Sequence, residues 1–123
     1  MKIERFEDIQ AWQEARKLTK KIYELTNKLP FKRDFKLCEQ VRDASVSVMG
    51  NIAEGFDRQS KKEFIRFLDI ASTSGSEVQS HLYVALDQEY ISEEEFQETY
   101  QQAKKTKGLV NGFMVYLKGK KKI

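Results

Sequence analysis

Residues 35–67, FKLCEQVRDASVSVMGNIAEGFDRQSKKEFIRF, decide the fold that the sequence predicts. Apolar residues recur at intervals of three and four through residues 37–52, which is the period of an α-helix. Gly55 suits a Schellman stop for this helix, because glycine takes the left-handed conformation at little cost. Ser60 and Glu63 then form a capping-box pattern, which is typical of a new helix start. The stretch therefore predicts a helical hairpin.

Two further helices are predicted, one on each side of this hairpin. Asp8 is a candidate N-cap for the first helix, and Pro30 ends that helix because proline lacks an N–H and disfavours helical geometry in the residue before it. Ser92 and Glu95 repeat the capping-box pattern and start the last helix. The predicted helices run from about residue 9 to 28, 35 to 54, 61 to 89 and 93 to 118.

These elements predict an all-α protein, an antiparallel up-down-up-down four-helix bundle. The connections are short, so successive helices should be antiparallel neighbours. A length of 123 residues fits a single domain, residues 1–123. A three-helix bundle with a bent third helix is the alternative, and the start signal at Ser92 argues against it.

The composition excludes several classes of function. No apolar run approaches the roughly 20 residues that cross a bilayer, and acids stand near the N-terminus where a secretory signal has its apolar core. We therefore expect a cytoplasmic protein without a membrane partner. With only one cysteine, Cys38, and one histidine, His81, neither an internal disulfide nor a zinc site is expected. No catalytic set or phosphate loop is complete, so we expect no enzyme, cofactor or small-molecule substrate.

Glycines at two places carry alternative interpretations. Residues 72–76, STSGS, are weak helix formers at the centre of the third helix. Either the helix kinks there or a second backbone comes close. The segment is then either a small-residue patch that the bundle tolerates or a place where Gly75 acts as a hinge or ligand contact. In the fourth helix, Gly108 and Gly112 leave a shallow groove, which suits the approach of a helix better than a ligand.

Basic residues are concentrated at particular places, although the net charge is only +3. No acid follows Gln101, and we predict that the C-terminus of the fourth helix lies at the end of the bundle that carries the first connection. Phe31 and Phe35 offer faces for stacking at that end. The predicted basic end either binds a polyanion or serves solubility. Its residues are Lys28, Lys32, Arg33, Lys36, Lys118, Lys120, Lys121 and Lys122.

A polar stripe follows the second helix opposite its apolar side. It is either a solvated face or a contact between subunits. In a subunit contact, Asn51 and Glu54 form hydrogen bonds to the neighbouring chain and Arg58 supplies the countercharge. The same three residues can instead tie the second turn within one chain.

Three motifs together resemble one known family. They are W-x-x-A-x-x-L at residues 12–18, Leu-Pro at 29–30, and V-x-x-N-I-A-E-G-x-x-R-x-S-x-x-E-F-x-x-F-L at 48–68. The sequence resembles the four-helix-bundle proteins related to those encoded in intervening sequences of bacterial large-subunit ribosomal RNA genes. It is also similar to the accessory protein of diversity-generating retroelements, a ring of bundles with a basic surface that binds RNA and a reverse transcriptase. The resemblance implies a bacterial or phage-borne protein that assembles as a homopentamer.

The functional hypothesis combines the charge pattern with this resemblance. It describes a non-enzymatic, oligomeric bundle that binds RNA, or an RNA-containing complex, through basic surfaces without strong sequence specificity. Ribosomal RNA and a reverse-transcriptase complex are the candidate partners that the resemblance implies. The alternative is a protein-interaction adaptor or scaffold ring with no direct nucleic-acid binding.

Overall fold

The computed structural model describes residues 2–119, which form four long helices and no strand. The helices are α1 (Gln10–Thr26), α2 (Phe35–Asp57), α3 (Lys61–Asp87) and α4 (Glu93–Gly119), and short 3₁₀ helices cover Phe6–Asp8 and Phe31–Arg33. The all-α, four-helix prediction is confirmed. The first helix ends two residues earlier than predicted and the second ends three residues later.

Aromatic contacts near both ends of α3 and α4 show that these two helices are antiparallel. Tyr83, near the end of α3, lies 4.9 Å from the ring of Phe96 at the start of α4. Phe64, at the start of α3, lies 5.4 Å from the ring of Phe113 near the end of α4. Each of the four helices packs mainly on two others, in the order α1, α2, α3, α4 around the bundle. Helices α2 and α4 therefore occupy diagonal corners.

The core consists of two apolar clusters, one toward each end of the bundle. The cluster near the first connection is built around Leu18, Ile22 and Leu82 and includes Phe31. The other cluster contains Ile52 and residues of all four helices, and it reaches the chain's N-terminal segment. The predicted apolar stripes thus meet inside the bundle, as hydrophobic burial requires.

Three of the four long helices have a side-chain cap at their start. Ser60 Oγ accepts the N–H of Glu63, and Ser92 forms the full capping box with Glu95 at 2.9 and 3.0 Å, as predicted. Asp34 caps α2. Asp8 was expected to cap α1, and that prediction is wrong. Its carboxylate accepts the N–H groups of residues 4 and 5 and so closes the preceding 3₁₀ turn.

Gly55 does not end α2, so the predicted Schellman stop is also wrong. The helix continues to Asp57, and the left-handed residue of the turn is Gln59, with a φ of 57°. Gly55 is buried where α3 crosses close to it. A methyl group at Gly55 would lie 2.8 Å from Phe67 Cβ and 2.9 Å from Phe64 Cδ1. The glycine is needed for helix packing and not for backbone geometry.

Gly75 marks the close approach of a side chain, and no second backbone of the described chain lies within 4 Å of a methyl group placed there. Helix α3 runs without interruption through the STSGS segment. The side chain of Lys107 from α4 lies across Gly75, and its ammonium group donates to Ser76 Oγ at 2.6 Å. A methyl group at Gly75 would lie 2.6 Å from Lys107 Cγ.

A buried carboxylate joins α1 to α4. Glu14 is 6% exposed, and Gln102 Nε2 donates both to its Oε1 at 2.9 Å and to its main-chain oxygen at 3.0 Å. Lys17 and Lys105 supply positive charge at 3.1 and 3.5 Å. The hydrogen bond from Gln102 and these two cations hold the pKa of Glu14 below its usual value.

Replacing Gly55 by alanine should lower the free energy of unfolding by about 1–3 kcal/mol, because the added methyl overlaps backbone-linked atoms of α3. Gly50→Ala is the matched control, since a methyl there meets no atom within 4 Å. Its higher helix propensity should raise stability by up to about 1 kcal/mol. Urea unfolding of both variants measures the difference. Equal shifts in the two proteins would contradict the close-packing role of Gly55.

Candidate nucleic-acid interface

The predicted basic residues do not share one end of the bundle. The first connection contacts the start of α4, because Lys28 Nζ lies 2.8 Å from Glu95 Oε2. Leu117, near the end of α4, instead lines a hollow with Gly55 and Ser60 at the second connection. The prediction that Lys118 lies near Lys28 is therefore wrong. In an antiparallel bundle the fourth helix returns to the end at which the first one started.

Lys118 is exposed in the last turn of α4, at the end with the second connection. Lys120, Lys121 and Lys122 lie outside the described residues. At this end the arginines have carboxylate neighbours. Arg58 lies 2.7 Å from Glu54, and Arg66 lies 3.2 Å from Glu63.

The first connection packs on the core through an aromatic pair, Phe31 and Tyr90. Phe31 is 1% exposed, and its ring stacks on Tyr90 with centroids 5.3 Å apart. The Tyr90 hydroxyl donates to Asp34 Oδ2 at 2.9 Å, while Asp34 Oδ1 accepts the N–H of Leu37 at 3.1 Å. The hydrogen bond to Asp34 raises the pKa of Tyr90. The carboxylate of Asp34 thus caps α2 and also links the first connection to the connection between α3 and α4.

Because Phe31 points inward, it offers no face for stacking, and that expectation is wrong. Phe35 is the opposite case, with 81% of its surface exposed. Leu29 lies beyond the end of α1 and is 62% exposed. The two apolar side chains line an open groove of about 670 Å³.

No carboxylate lines this groove. Its walls are Asn27, Lys28, Leu29, Lys32, Arg33 and Phe35. We call this group, together with the adjacent Lys36, the first-connection surface. It combines four cations with an exposed aromatic ring. Among the residues predicted to bind phosphate, the structure brings these four together.

The cations of the first-connection surface differ in their partners. Lys28 forms an ion pair with Glu95, and the hydrogen bond between them raises the pKa of Lys28 and lowers that of Glu95. Lys32, Arg33 and Lys36 form no ion pair within residues 2–119. Three positive charges therefore remain uncompensated within the described part of the chain.

Acidic residues occupy the other side of the same end. Glu95 faces Lys28, and Glu98 lies 3.2 Å from Lys21. The acids at the start of α4 thus compensate Lys21 of α1 and Lys28 of the first connection. The exposed cations of the 3₁₀ turn and the first turn of α2 lie beyond these pairs. This end is consequently divided into an acidic α4 side and a basic first-connection side.

A second groove of about 330 Å³ adjoins the first-connection surface and shares Lys32 and Phe35 with it. Arg42 lies in its wall, where Nε donates to Thr26 Oγ1 at 2.8 Å and a terminal nitrogen donates to Asn27 Oδ1 at 3.0 Å. Its guanidinium also lies 4.7 Å from the centre of the Tyr23 ring. Sequence reasoning missed this arrangement, because its members come from two helices at unrelated spacings.

The residues proposed for subunit contact make hydrogen bonds within the chain. Asn51 Nδ2 donates to the main-chain oxygen and hydroxyl of Ser47, and that hydroxyl lies 2.8 Å from Ser74 Oγ on α3. Arg58 pairs with Glu54 and also lies 4.8 Å from the centre of the Phe67 ring. Both acidic and basic side chains of this pair are about half exposed, at 54% and 45%.

Part of the apolar surface of α4 is exposed and packs against no other helix of the described chain. Val115 is 70% exposed, and a methyl group at Gly108 or Gly112 would meet no atom within 4 Å. The groove predicted at these two glycines is therefore open to solvent within the described chain. On the diagonal helix, Val46 is 46% exposed beside the exposed carboxylate of Asp43.

The search for other chemistry covers the described residues only. Cys38 is buried, its thiol donates to the Phe31 carbonyl at 3.2 Å, and burial raises its pKa. Within residues 2–119, no group of three or more His, Cys, Asp and Glu side chains is arranged to hold a metal ion. None of the described helices combines the length and apolar character needed to span a bilayer.

Comparison with known proteins places this bundle in a family. The sequence profile of the 23S rRNA-intervening sequence protein family matches residues 7–112. The chain belongs to that family. A crystal structure of a protein of unknown function from the S23 ribosomal protein family of Bacteroides thetaiotaomicron VPI-5482 has the same fold, with a TM-score of 0.77 and 21% identity. The match covers 85% of this chain and 97% of that one. The search of curated proteins found no match.

Replacing Asp34 by alanine should lower the free energy of unfolding by about 1–2 kcal/mol, because α2 loses its cap and Tyr90 loses its acceptor. Tyr90→Phe removes only the second of these bonds, and we expect a loss of about 1 kcal/mol or less. Urea unfolding of the two variants and of the double variant measures the coupling. If Tyr90→Phe has its full effect when Asp34 is already alanine, the two residues do not act together.

Proposed function

We propose that this protein is a non-enzymatic RNA-binding bundle that contacts phosphates through its first-connection surface. The observation that supports the proposal most is a set of cations without an ion-pair partner among the described residues. Lys32 and Arg33 line a groove without a carboxylate, and Lys36 follows the last of the groove residues in the chain. Each phosphate neutralised by such a cation releases counterions from the nucleic acid. At the opposite end, Arg58 and Arg66 already have carboxylate partners and offer less to a polyanion.

The chemistry of these side chains predicts binding without strong sequence preference. Lysine and arginine contacts to phosphate fix the position of a nucleic acid but do not read its bases. Ribosomal RNA and the RNA of a reverse-transcriptase complex are the candidate ligands, and the bacterial cytoplasm is the proposed location.

Assembly of several copies would strengthen binding of this kind. Three or four cations per chain give a weak site, whereas linked sites on one RNA bind with much higher avidity. We propose a homo-oligomer, a pentamer by the resemblance, in which each chain presents one first-connection surface. The lysines at the C-terminus, Lys118 and residues 120–122, are the second candidate phosphate site.

The two candidate sites can be separated by salt dependence. Changing Lys32, Arg33 and Lys36 to glutamine should make the slope of log affinity against log salt shallower by about two to three, since each lost phosphate contact removes roughly 0.7–0.9. Fluorescence anisotropy with a structured RNA between low and moderate salt gives the slope. The matched variant changes Lys118, Lys120, Lys121 and Lys122 to glutamine and leaves the first connection intact.

Each outcome of this experiment decides between the sites. A shallower slope only in the first variant supports the first-connection surface. A shallower slope only in the second moves the phosphate site to the C-terminus. If the wild-type protein binds no RNA at low salt, direct RNA binding fails, and the protein-interaction adaptor becomes the better description.

For the assembly we propose that α4 of one copy packs against α2 of the next. The outer face of α4 carries Val115, the open glycines and lysines, whereas the outer face of α2 carries Val46 with carboxylates at Asp43 and Glu54. These faces are complementary in charge and lie at diagonal corners. A contact between different faces of identical chains forms a ring when its rotation closes. Glu54, together with Asn51 and Arg58, would lie at the edge of this contact.

Val115→Glu should therefore reduce the assembly to single chains of 14.4 kDa, because it places a carboxylate opposite the acids of α2. Light scattering during size-exclusion chromatography gives the mass. Val84→Glu on α3, at a site that is 43% exposed, is the matched control and should keep the wild-type mass. A Val115→Glu protein of wild-type mass would exclude this face, and the same measurement on Arg58→Glu tests the edge of the contact.

A further inference from the structure

We propose that the first-connection surface takes unpaired RNA, with a base stacked on the ring of Phe35. This inference rests on the proposed function and names the kind of RNA that the same site binds. Phe35 is the most exposed large apolar side chain in the described residues, at 81%. It is the first residue of α2, so its backbone is held by a capped helix start while its ring stands in solvent. A fixed, exposed aromatic ring is suited to stacking.

Three cations line the groove on one side of this ring, and one of them, Lys32, also lines the adjoining groove. Lys28, Lys32 and Arg33 line the groove together with Leu29 and Phe35. Lys32 and Arg33 directly precede the capping residue, which separates them from Phe35 by one position in the chain. A strand whose phosphates follow these cations therefore has its bases directed over Phe35 and Leu29. Backbone-tracking cations next to stacking aromatics are the usual composition of single-strand sites.

The other side of the ring has a different character. The adjoining groove contains Tyr23 and Arg42, but it also contains the carboxylates of Glu39 and Asp43. Those carboxylates repel phosphates, so they confine the backbone of the RNA to the Lys28 side. Tyr23 is 38% exposed and lies under the guanidinium of Arg42 at 4.7 Å. It offers a second planar surface for a base that continues past Phe35.

Stacking on a protein ring selects the state of the RNA. In a duplex the faces of each internal base are covered by its neighbours, whereas bases in loops, bulges and single strands are free to stack on aromatic side chains. Every base has such a face, so the site discriminates paired from unpaired RNA without reading sequence. This agrees with the absence of strong specificity in the proposed function.

The test compares a labelled single-stranded RNA with a fully paired duplex of the same length. Wild-type protein should bind the single strand more tightly. Phe35→Leu keeps apolar bulk but removes the aromatic face, and it should weaken single-strand binding roughly tenfold while leaving the salt slope unchanged. Phe35→Trp should retain binding, and its fluorescence should be quenched on adding the single strand. Tyr116→Leu, which removes an aromatic ring of 57% exposure at the other end, should bind as wild type.

The failures of the two proposals are distinguishable. If Phe35→Leu binds both RNAs as wild type does, or if the duplex is preferred, the stacking inference is overturned. The phosphate site still stands in that case, provided that the variant lacking Lys32, Arg33 and Lys36 has the shallower slope. If wild-type protein binds neither RNA at low salt, both proposals fail together. Phe35 lies in solvent within the chain, so its substitutions should leave the circular dichroism spectrum and unfolding midpoint unchanged.

Discussion

The burial of Phe31 decides what the first connection presents to solvent. Its ring stacks on Tyr90 and closes the core at that end. Its main-chain oxygen accepts a hydrogen bond from the thiol of Cys38. Asp34 then fixes the start of α2 and holds Tyr90 at the same time. Phe31 is buried in the core. Phe35, the next phenylalanine in the chain, is the first residue of α2 and is exposed to solvent. The exposed ring and the cations beside it follow from this single packing choice.

The number of helices is the second constraint, because it decides which charged residues lie at the same end of the bundle. Four antiparallel helices bring the end of the last helix back to the end where the first began. Lys118 therefore lies beside the second connection, and the first connection faces the acidic start of α4. Part of the positive charge at the first connection is consequently neutralised by Glu95. Lys32, Arg33 and Lys36 escape this pairing because they belong to the 3₁₀ turn and to the first turn of α2.

Local sequence signals predicted the four helices well because their causes are local. Ser60 and Ser92 cap helices through atoms three residues away, and apolar spacing depends on one helix at a time. Gly55 marks the limit of such local reasoning. The sequence alone does not distinguish a glycine that ends a helix from one that allows a neighbouring helix to pack closely. In the structure Gly55 allows α3 to pack closely, because a methyl group at this position would overlap Phe64 and Phe67.

The candidate site depends on relations between distant residues, and those are harder to predict from the sequence. The cluster from Lys28 to Lys36 was visible because its members are close in the chain. Which of them have carboxylate partners depends on α4, more than sixty residues later, as the contact between Lys28 and Glu95 shows. Arg58 and Arg66 differ in this respect, because their carboxylate partners lie only four and three residues away in the chain. The charge that remains uncompensated at each end therefore depends on these pairings as well as on the count of lysines. In the proposed function, a polyanion would gain most where cations have no carboxylate partner to give up, and the acids at the start of α4 would direct it to the side that carries Phe35.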